Sequence, residues 1–103
     1  MTHMKEVDEK SFVEFVNSNN VVAVAFSAPW CMPCNMMKPV FEKLSLTQPI
    51  AKLNIDQCAN LAKENGVSTI PTLVFFKAGK AVKKMTGILN AQQINLVFAE
   101  LKD

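Results

Sequence analysis

The stretch APWCMPCNMMKP, residues 28 to 39, holds two of the chain's three cysteines, Cys31 and Cys34, separated by two residues. The residues before it, VVAVAFS at 21–27, form an apolar, β-branched run that is typical of a strand covered on both faces. After the cysteines, apolar residues at helical spacing predict a helix, with one face formed by Met36, Met37, Val40, Phe41 and Leu44. Cys31 is therefore expected where a strand ends and a helix begins.

Cys-x-x-Cys occurs in metal sites, haem attachment and redox centres, and the rest of the chain distinguishes among them. A closed zinc site needs about four ligands, but the remaining candidates are Cys58 and His3, and neither has a second ligand nearby in sequence. Covalent haem requires histidine directly after the second cysteine, where this chain has Asn35. An iron–sulfur cluster would lack its fourth thiolate, because the chain has only three cysteines. We therefore expect no metal.

The position of Cys31 at a helix start favours redox chemistry over a structural pair. The first N–H groups of a helix have no intrahelical partner, and together with the macrodipole they favour negative charge. Such an environment lowers the pKa of a cysteine thiol and raises the fraction of reactive thiolate. Cys34 follows one helical turn later, close enough to attack a mixed disulfide formed on Cys31. Two core cysteines are the alternative, since free cysteine is often buried.

Three neighbouring residues bear on the properties of the cysteine pair. Pro33 fixes its own φ and lacks an N–H, which suits the first turn of a helix and stiffens the geometry of the pair. Trp30 and Met32 are predicted to present apolar surface beside the sulfur atoms. Ordinary packing in the core is the alternative for both side chains.

The whole chain has 103 residues, 50% of them hydrophobic, which predicts a single domain over residues 1–103. A net charge of +2 with scattered lysines argues against nucleic acid or an anionic membrane as a partner. No apolar run approaches the ~20 residues that span a bilayer, and the first residues, MTHMKEVDEK, do not have the pattern of a signal peptide. We expect a cytoplasmic monomer, and we leave open whether residues 1–4 are native, disordered or derived from a tag.

The remaining pattern alternates helices and strands. Ser11 with Glu14 matches a capping box before a first helix, and Asn90 with Gln93 matches another before the last helix. Gly79 is expected to supply the turn of a hairpin. Further strands are predicted at 50–55, 72–76 and 81–86, a short helix at 59–65, and a buried stripe on the last helix at Ile94, Val97, Phe98 and Leu101. This order predicts an α/β fold with helices on both faces of a mixed sheet, parallel at the crossovers and antiparallel at the hairpin.

The segment Trp30-Cys31-Met32-Pro33-Cys34 resembles the active-site motif of the thioredoxin family, in which glycine usually stands at the position of Met32. Ile70-Pro71-Thr72 is similar to the family's Ile-Pro-Thr segment, whose proline is cis and faces the disulfide. Pro39 matches the proline that kinks the family's active-site helix. Further matches in order and spacing lie at 52–56, 76–79 and Gly87. The resemblance to the family therefore covers nearly the whole chain.

The resemblance implies a thioredoxin fold and a thiol–disulfide oxidoreductase that reduces disulfides in protein substrates. Cys31 would attack the substrate disulfide, Cys34 would resolve the mixed disulfide, and a flavin-containing thioredoxin reductase would restore the dithiol. The redox-active Cys31–Cys34 pair would act without a separate cofactor. Substrate backbone would lie in a groove formed by Trp30, Met32, Ile70, Pro71 and Gly87.

Some positions depart from the family's pattern. Ala25 stands where the family usually has a buried aspartate that takes a proton from the resolving cysteine, and Lys52 corresponds to a lysine near that aspartate. Lys52 is therefore expected to lack a partner and to extend towards solvent, because burying an unpaired ammonium is costly. Resolution by Cys34 is expected to be slower, or to use water or another base. Lys52 is also predicted to tune the redox properties, together with Met32 and Pro33.

Several alternatives stay open. A disulfide oxidant or isomerase would use the same cysteines at a higher potential, about −180 to −120 mV against about −270 mV for a thioredoxin-type reductant. A binding module would use the groove without redox chemistry. Without the family resemblance, Pro71 fits a trans proline that opens an edge strand. Cys58 is expected to be a packing residue or a surface thiol. The more specific alternative is that it is a regulatory cysteine or forms a dimer.

Overall fold

The computed structural model describes residues 4–102 and contains, within that range, five strands and four helices. The strands are β1 (Lys5–Val7), β2 (Val21–Ser27), β3 (Ile50–Asn54), β4 (Thr72–Lys77) and β5 (Lys80–Thr86). The helices are α1 (Phe12–Val16), α2 (Met32–Leu44), α3 (Ala59–Glu64) and α4 (Ala91–Lys102). Within this part of the chain, none of the helices combines the length and the apolar character that a membrane span requires.

The central strand of the sheet is β2, and both of its faces are covered, as its sequence predicts. The sheet order is β1-β3-β2-β4-β5. Ala23 and Ala25 pack with side chains of α2 and α4, whereas Val22 and Val24 pack with side chains of α1 and α3. Strand β3 is parallel to both β1 and β2, while β4 is antiparallel to both β2 and β5. The predicted α/β fold, a mixed sheet with helices on both faces, is confirmed.

The amino-terminal segment differs from the prediction at two points. The sequence does not predict β1, because its three residues contain one buried apolar side chain, Val7, and show no periodicity. The predicted Ser11–Glu14 capping box is wrong: Asp8 Oδ1 accepts the N–H groups of Lys10 and Ser11, while Ser11 Oγ accepts the Asp8 N–H. The hydrogen bond from the Ser11 N–H is the largest cause that lowers the pKa of the Asp8 carboxyl. Asp8 thus connects the end of β1 to the start of α1.

The first residue that the structure describes, Met4, belongs to the fold. It is 6% exposed and packs in the core cluster that includes side chains of α2 and α4. Residues 1–3, including His3, lie outside the described range, as does residue 103.

The predicted cap of the last helix is present. The Asn90 N–H donates to Gln93 Oε1 at 3.0 Å, and the Gln93 N–H donates to Asn90 Oδ1 at 2.8 Å. Gly79 has a φ of 80° at the turn between β4 and β5, a conformation that glycine adopts readily. The predicted stripe on α4 faces the core, with Ile94, Val97 and Phe98 buried and Leu101 packed against them.

The long helix α2 continues through Pro39 to Leu44 as one element. Met37, Phe41 and Leu44 are buried and hold the helix against the sheet. Met36, which the spacing groups with them, is instead 63% exposed. The packing of α2 fixes the position of its first turn, which carries the cysteine motif.

Candidate active site

Cys31 is the N-cap residue of α2. It follows the loop that leaves β2, and its backbone is extended, with φ −89° and ψ 111°. A disulfide bond joins it to Cys34, and the two Cα atoms are 5.2 Å apart. The Cys34 N–H donates to Cys31 Sγ at 3.3 Å, so one of the free donors at the helix start points at this sulfur. Pro33 lies in the first turn, where the N–H that it lacks has no helical partner in any case.

Both cysteines of the pair are nearly covered by neighbouring side chains. Cys31 is 5% exposed and Cys34 is 6% exposed, and the two cluster with Ala28. Ile55 and Ile70 pack against this cluster. Burial alone therefore does not separate a structural pair from a redox pair, and the surroundings of each sulfur decide the matter.

Two large apolar side chains stand exposed beside the disulfide. Trp30 is 67% exposed and Met32 is 73% exposed, so neither is packed in the core. The Trp30 indole Nε1 donates to both carboxylate oxygens of Asp56, at 2.9 and 3.2 Å, which holds the ring in place. No sequence pattern indicates Asp56 as this partner, because the two residues are 26 positions apart. Trp30 and Met32 form an apolar rim next to Cys31.

The Ile70–Pro71 peptide bond is cis and lies beside Cys31. The Ile70 carbonyl oxygen is 4.0 Å from Cys31 Sγ. Pro71 precedes β4, an internal strand between β2 and β5, so the interpretation as a trans proline on an edge strand is wrong. The Gly87 N–H donates to the Pro71 carbonyl at 2.9 Å. Gly87 has a φ of 95°, which glycine tolerates better than other residues do. Ile70, Pro71 and Gly87 are thereby brought together near Cys31.

A pocket of about 240 Å³ lies against Cys34. Ala25 contributes a short side chain to its lining, and the charged side chains that line it are Glu6, Lys38 and Lys52. Lys52 Nζ lies 3.9 Å from Glu6 Oε1, with the two side chains 31% and 50% exposed respectively. The prediction that Lys52 lacks a partner is therefore wrong, because Glu6 supplies a carboxylate from β1.

The strand register explains how these residues meet. Glu6 pairs with Lys52 between β1 and β3, and Lys52 pairs with Ala25 between β3 and β2. Residues paired in this way lie side by side on one face of a sheet. Ala25 is on the face that packs against α2, and Cys34 lies in the first turn of that helix. No local pattern indicates Glu6, since β1 is short and its pairing depends on strands distant in sequence.

The third cysteine, Cys58, is the N-cap residue of α3. It is 2% exposed and packs among side chains of α1 and α3, so it is a packing residue and the surface-thiol alternative is wrong. Burial raises the pKa of the Cys58 thiol, and the carboxylates of Glu9 and Asp8 raise it further. In the part of the chain that the structure describes, no group of three or more His, Cys, Asp or Glu side chains is arranged to hold a metal ion.

Comparison with known proteins agrees with this geometry. The sequence model of the family described as Thioredoxin matches residues 3–100. Thioredoxin 2 of Chlorobaculum tepidum is 38% identical over 96 residues, which cover 89% of this chain and 88% of that protein. Thioredoxin-1 of Saccharomyces cerevisiae is 40% identical over 90 residues, covering 84% and 85% respectively. A solved structure of a mutant thioredoxin from Halobacterium salinarum has a TM-score of 0.89 and 28% identity, covering 97% of this chain and 90% of that one.

Proposed function

The chain belongs to the thioredoxin family and is a protein-disulfide reductase with the thioredoxin fold, and on this premise we propose the roles of its cysteines. Cys31 attacks the substrate disulfide, and Cys34 resolves the intermediate. The observation that carries this assignment is the hydrogen bond from the Cys34 N–H to Cys31 Sγ at the start of α2. A donor directed at one sulfur favours its charged form, and the thiolate is the nucleophile in disulfide exchange.

The reaction consists of two exchanges of sulfur–sulfur bonds. In the first, the Cys31 thiolate attacks one substrate sulfur and bonds to it, and the other substrate sulfur leaves as a thiolate that takes a proton from solvent. In the second, the Cys34 thiol loses its proton and attacks Cys31 Sγ, which releases the first substrate sulfur and forms the Cys31–Cys34 disulfide. Two electrons pass from the dithiol to the substrate.

The substrate surface in this proposal is the rim and groove beside Cys31. Trp30 and Met32 supply exposed apolar area, which a contact with another protein would cover. The other contributors to this groove are Ile70, Pro71 and Gly87. Their backbone groups lie where an extended segment of substrate would pass near Cys31.

Three further residues tune the redox properties in this proposal. Met32 and Pro33 separate the two cysteines, and Pro33 restricts the backbone of the first turn of α2. Lys52 places a positive charge on the lining of the pocket that Cys34 also lines. A nearby cation favours a thiolate over a thiol, so Lys52 favours ionisation of the resolving cysteine.

Thioredoxins use their own redox-active cysteines and need no cofactor, and the family's partners are disulfide-containing proteins and a thioredoxin reductase. For this chain we infer that the reductase contains flavin and restores the Cys31–Cys34 dithiol. We further infer that residues 1–103 form one domain that acts as a cytoplasmic monomer, without a nucleic-acid or membrane partner.

Trapping of the mixed disulfide tests the assignment of the two cysteines. The Cys34→Ser variant, mixed with a protein disulfide such as insulin, should accumulate a covalent adduct at Cys31, because the second exchange cannot occur. The Cys31→Ser variant should form little adduct and reduce no substrate. Nonreducing electrophoresis with mass analysis distinguishes the two variants. Faster adduct formation by Cys31→Ser than by Cys34→Ser would overturn the assignment.

A further inference from the structure

Resolution requires the Cys34 thiol to lose a proton, and the surroundings of Cys34 indicate where that proton goes. Cys34 is 6% exposed and packs on one side with Cys31 and Ala28. It also lines the pocket of about 240 Å³. A water molecule occupies about 30 Å³ in the liquid, so a pocket of this size can hold several waters beside the sulfur. Water in this pocket would give the proton of Cys34 a path away from the sulfur.

The charged groups around this pocket come from three elements of the described range, 4–102. Glu6 on β1, Lys52 on β3 and Lys38 on α2 line it, whereas β2 and the loop after it contribute uncharged side chains. Cys31 packs with Cys34, and during resolution its sulfur is bonded to the substrate. Glu6 is thus the one carboxylate that lines the pocket in this part of the chain.

The position of Glu6 suits transfer through water rather than direct contact. Glu6 and Ala25 are two strands apart, with Lys52 between them, which corresponds to about 10 Å at normal strand spacing. Lys52 Nζ lies 3.9 Å from Glu6 Oε1. An ion pair this exposed adds little stability, and it biases the Glu6 carboxylate towards the pocket that both residues line.

We propose that Glu6 accepts, through water in this pocket, the proton that Cys34 loses during resolution, and that Lys52 positions the Glu6 carboxylate. The inference rests on the proposed roles of Cys31 and Cys34. A water molecule takes the Cys34 proton and passes one of its own to Glu6, and the new thiolate attacks Cys31 Sγ. Glu6 is half exposed, so it returns the proton to solvent or to the departing substrate thiolate. The transfer needs no reactant besides water.

The two exchanges can be followed separately with a dithiobis(nitrobenzoate) reagent, which releases one coloured thiolate at each step. The first phase, attack by Cys31, depends on reagent concentration, whereas the second phase, resolution by Cys34, does not. Glu6→Gln should slow only the second phase, by roughly tenfold at neutral pH. This loss is smaller than the roughly 10²–10⁴-fold loss expected for a base bonded directly to the reacting group, because water stands between Glu6 and Cys34 in the proposal. Between about pH 6 and about pH 8, the second phase should depend weakly on pH in the natural protein and steeply in Glu6→Gln.

Two comparisons complete the experiment. Glu14→Gln, which removes an exposed carboxylate of α1, should leave both phases unchanged. Glu6→Asp should restore most of the second-phase rate, because it retains the carboxylate.

The direction of the change separates a proton acceptor from simpler roles. If Glu6 only neutralised Lys52, Glu6→Gln would free that cation to favour the Cys34 thiolate, and the second phase would become faster. A faster second phase, an unchanged second phase, or equal slowing of both phases would each overturn the proposal. Failure of the cysteine assignment looks different, since Cys34→Ser would then retain a concentration-independent second phase.

Discussion

Two of the chain's three cysteines are N-cap residues, Cys31 before α2 and Cys58 before α3, and their surroundings differ. Both are nearly buried, at 5% and 2% exposure. Cys31 Sγ accepts the N–H of Cys34 and forms the disulfide, whereas Cys58 is a free cysteine that makes no side-chain capping bond within the described part of α3. The same position in a helix therefore supports two different roles.

The difference lies in hydrogen bonding and charge. At Cys31 a backbone donor reaches the sulfur, which favours the thiolate. At Cys58 burial raises the pKa of the thiol and the carboxylates of Glu9 and Asp8 add to the rise, while a backbone hydrogen bond from Glu9 offsets it only in part. A helix start thus favours a thiolate where an N–H of the helix's own first turn reaches the sulfur, as at Cys31, and burial with nearby carboxylates outweighs the remaining donors at Cys58.

The largest expected effect comes from the same substitution at both N-caps. Cys31→Ala should lower the rate of protein-disulfide reduction by roughly 10³-fold or more, because it removes the attacking group. Cys58→Ala should leave the rate within about twofold, because Cys58 takes no part in either exchange. Turnover of insulin with dithiothreitol as the electron source measures both rates. If the two variants lost the rate of protein-disulfide reduction to a similar extent, Cys31 and Cys58 would not differ in function as described.

A smaller effect is expected on stability. Cys58→Ala removes a buried sulfur from the cluster beneath α1 and α3, and it should lower the free energy of unfolding at neutral pH by about 1 kcal/mol. Urea denaturation measures this change. Leu96→Ala is the control, since its side chain is 60% exposed and its loss should matter less. A larger loss in Leu96→Ala than in Cys58→Ala would contradict the packing role.

The smallest effect concerns alkaline pH. The unfolded Cys58 thiol ionises near its ordinary pKa of 9.0, whereas the folded thiol stays protonated to higher pH because its pKa is raised. This contribution to stability is complete below the unfolded pKa and is lost as the pH rises through the folded pKa. As the pH is raised from about 8 to about 10, the free energy of unfolding of Cys58→Ala should therefore fall less than that of the natural protein. Equal alkaline losses in urea titrations would argue against a raised pKa.

Much of the fold could be predicted because its signals are local. The run at 21–27 predicts a fully covered strand, and that strand is β2 at the centre of the sheet. The prediction of Cys31 at the start of a helix is confirmed, and so is the cap formed by Asn90 and Gln93. Each of these features depends on neighbours a few positions away.

The parts of the site that the sequence does not indicate depend on distant pairs. The contact of Glu6 with Lys52 follows from the register of β1, a strand of three residues. The bond from Trp30 to Asp56 joins the loop after β2 to the segment after β3. The first of these pairs changes the interpretation of the site, because it places a carboxylate on the pocket beside Cys34.

Alkylation of the reduced protein at neutral pH tests most directly whether Cys31 is the activated sulfur. Brief exposure to iodoacetamide, followed by mass analysis of peptides, ranks the three cysteines by reactivity. We predict that Cys31 is modified first, faster than a cysteine of the unfolded chain, and that Cys58 stays unmodified while the protein is folded. Modification of Cys58 or Cys34 ahead of Cys31 would contradict the account.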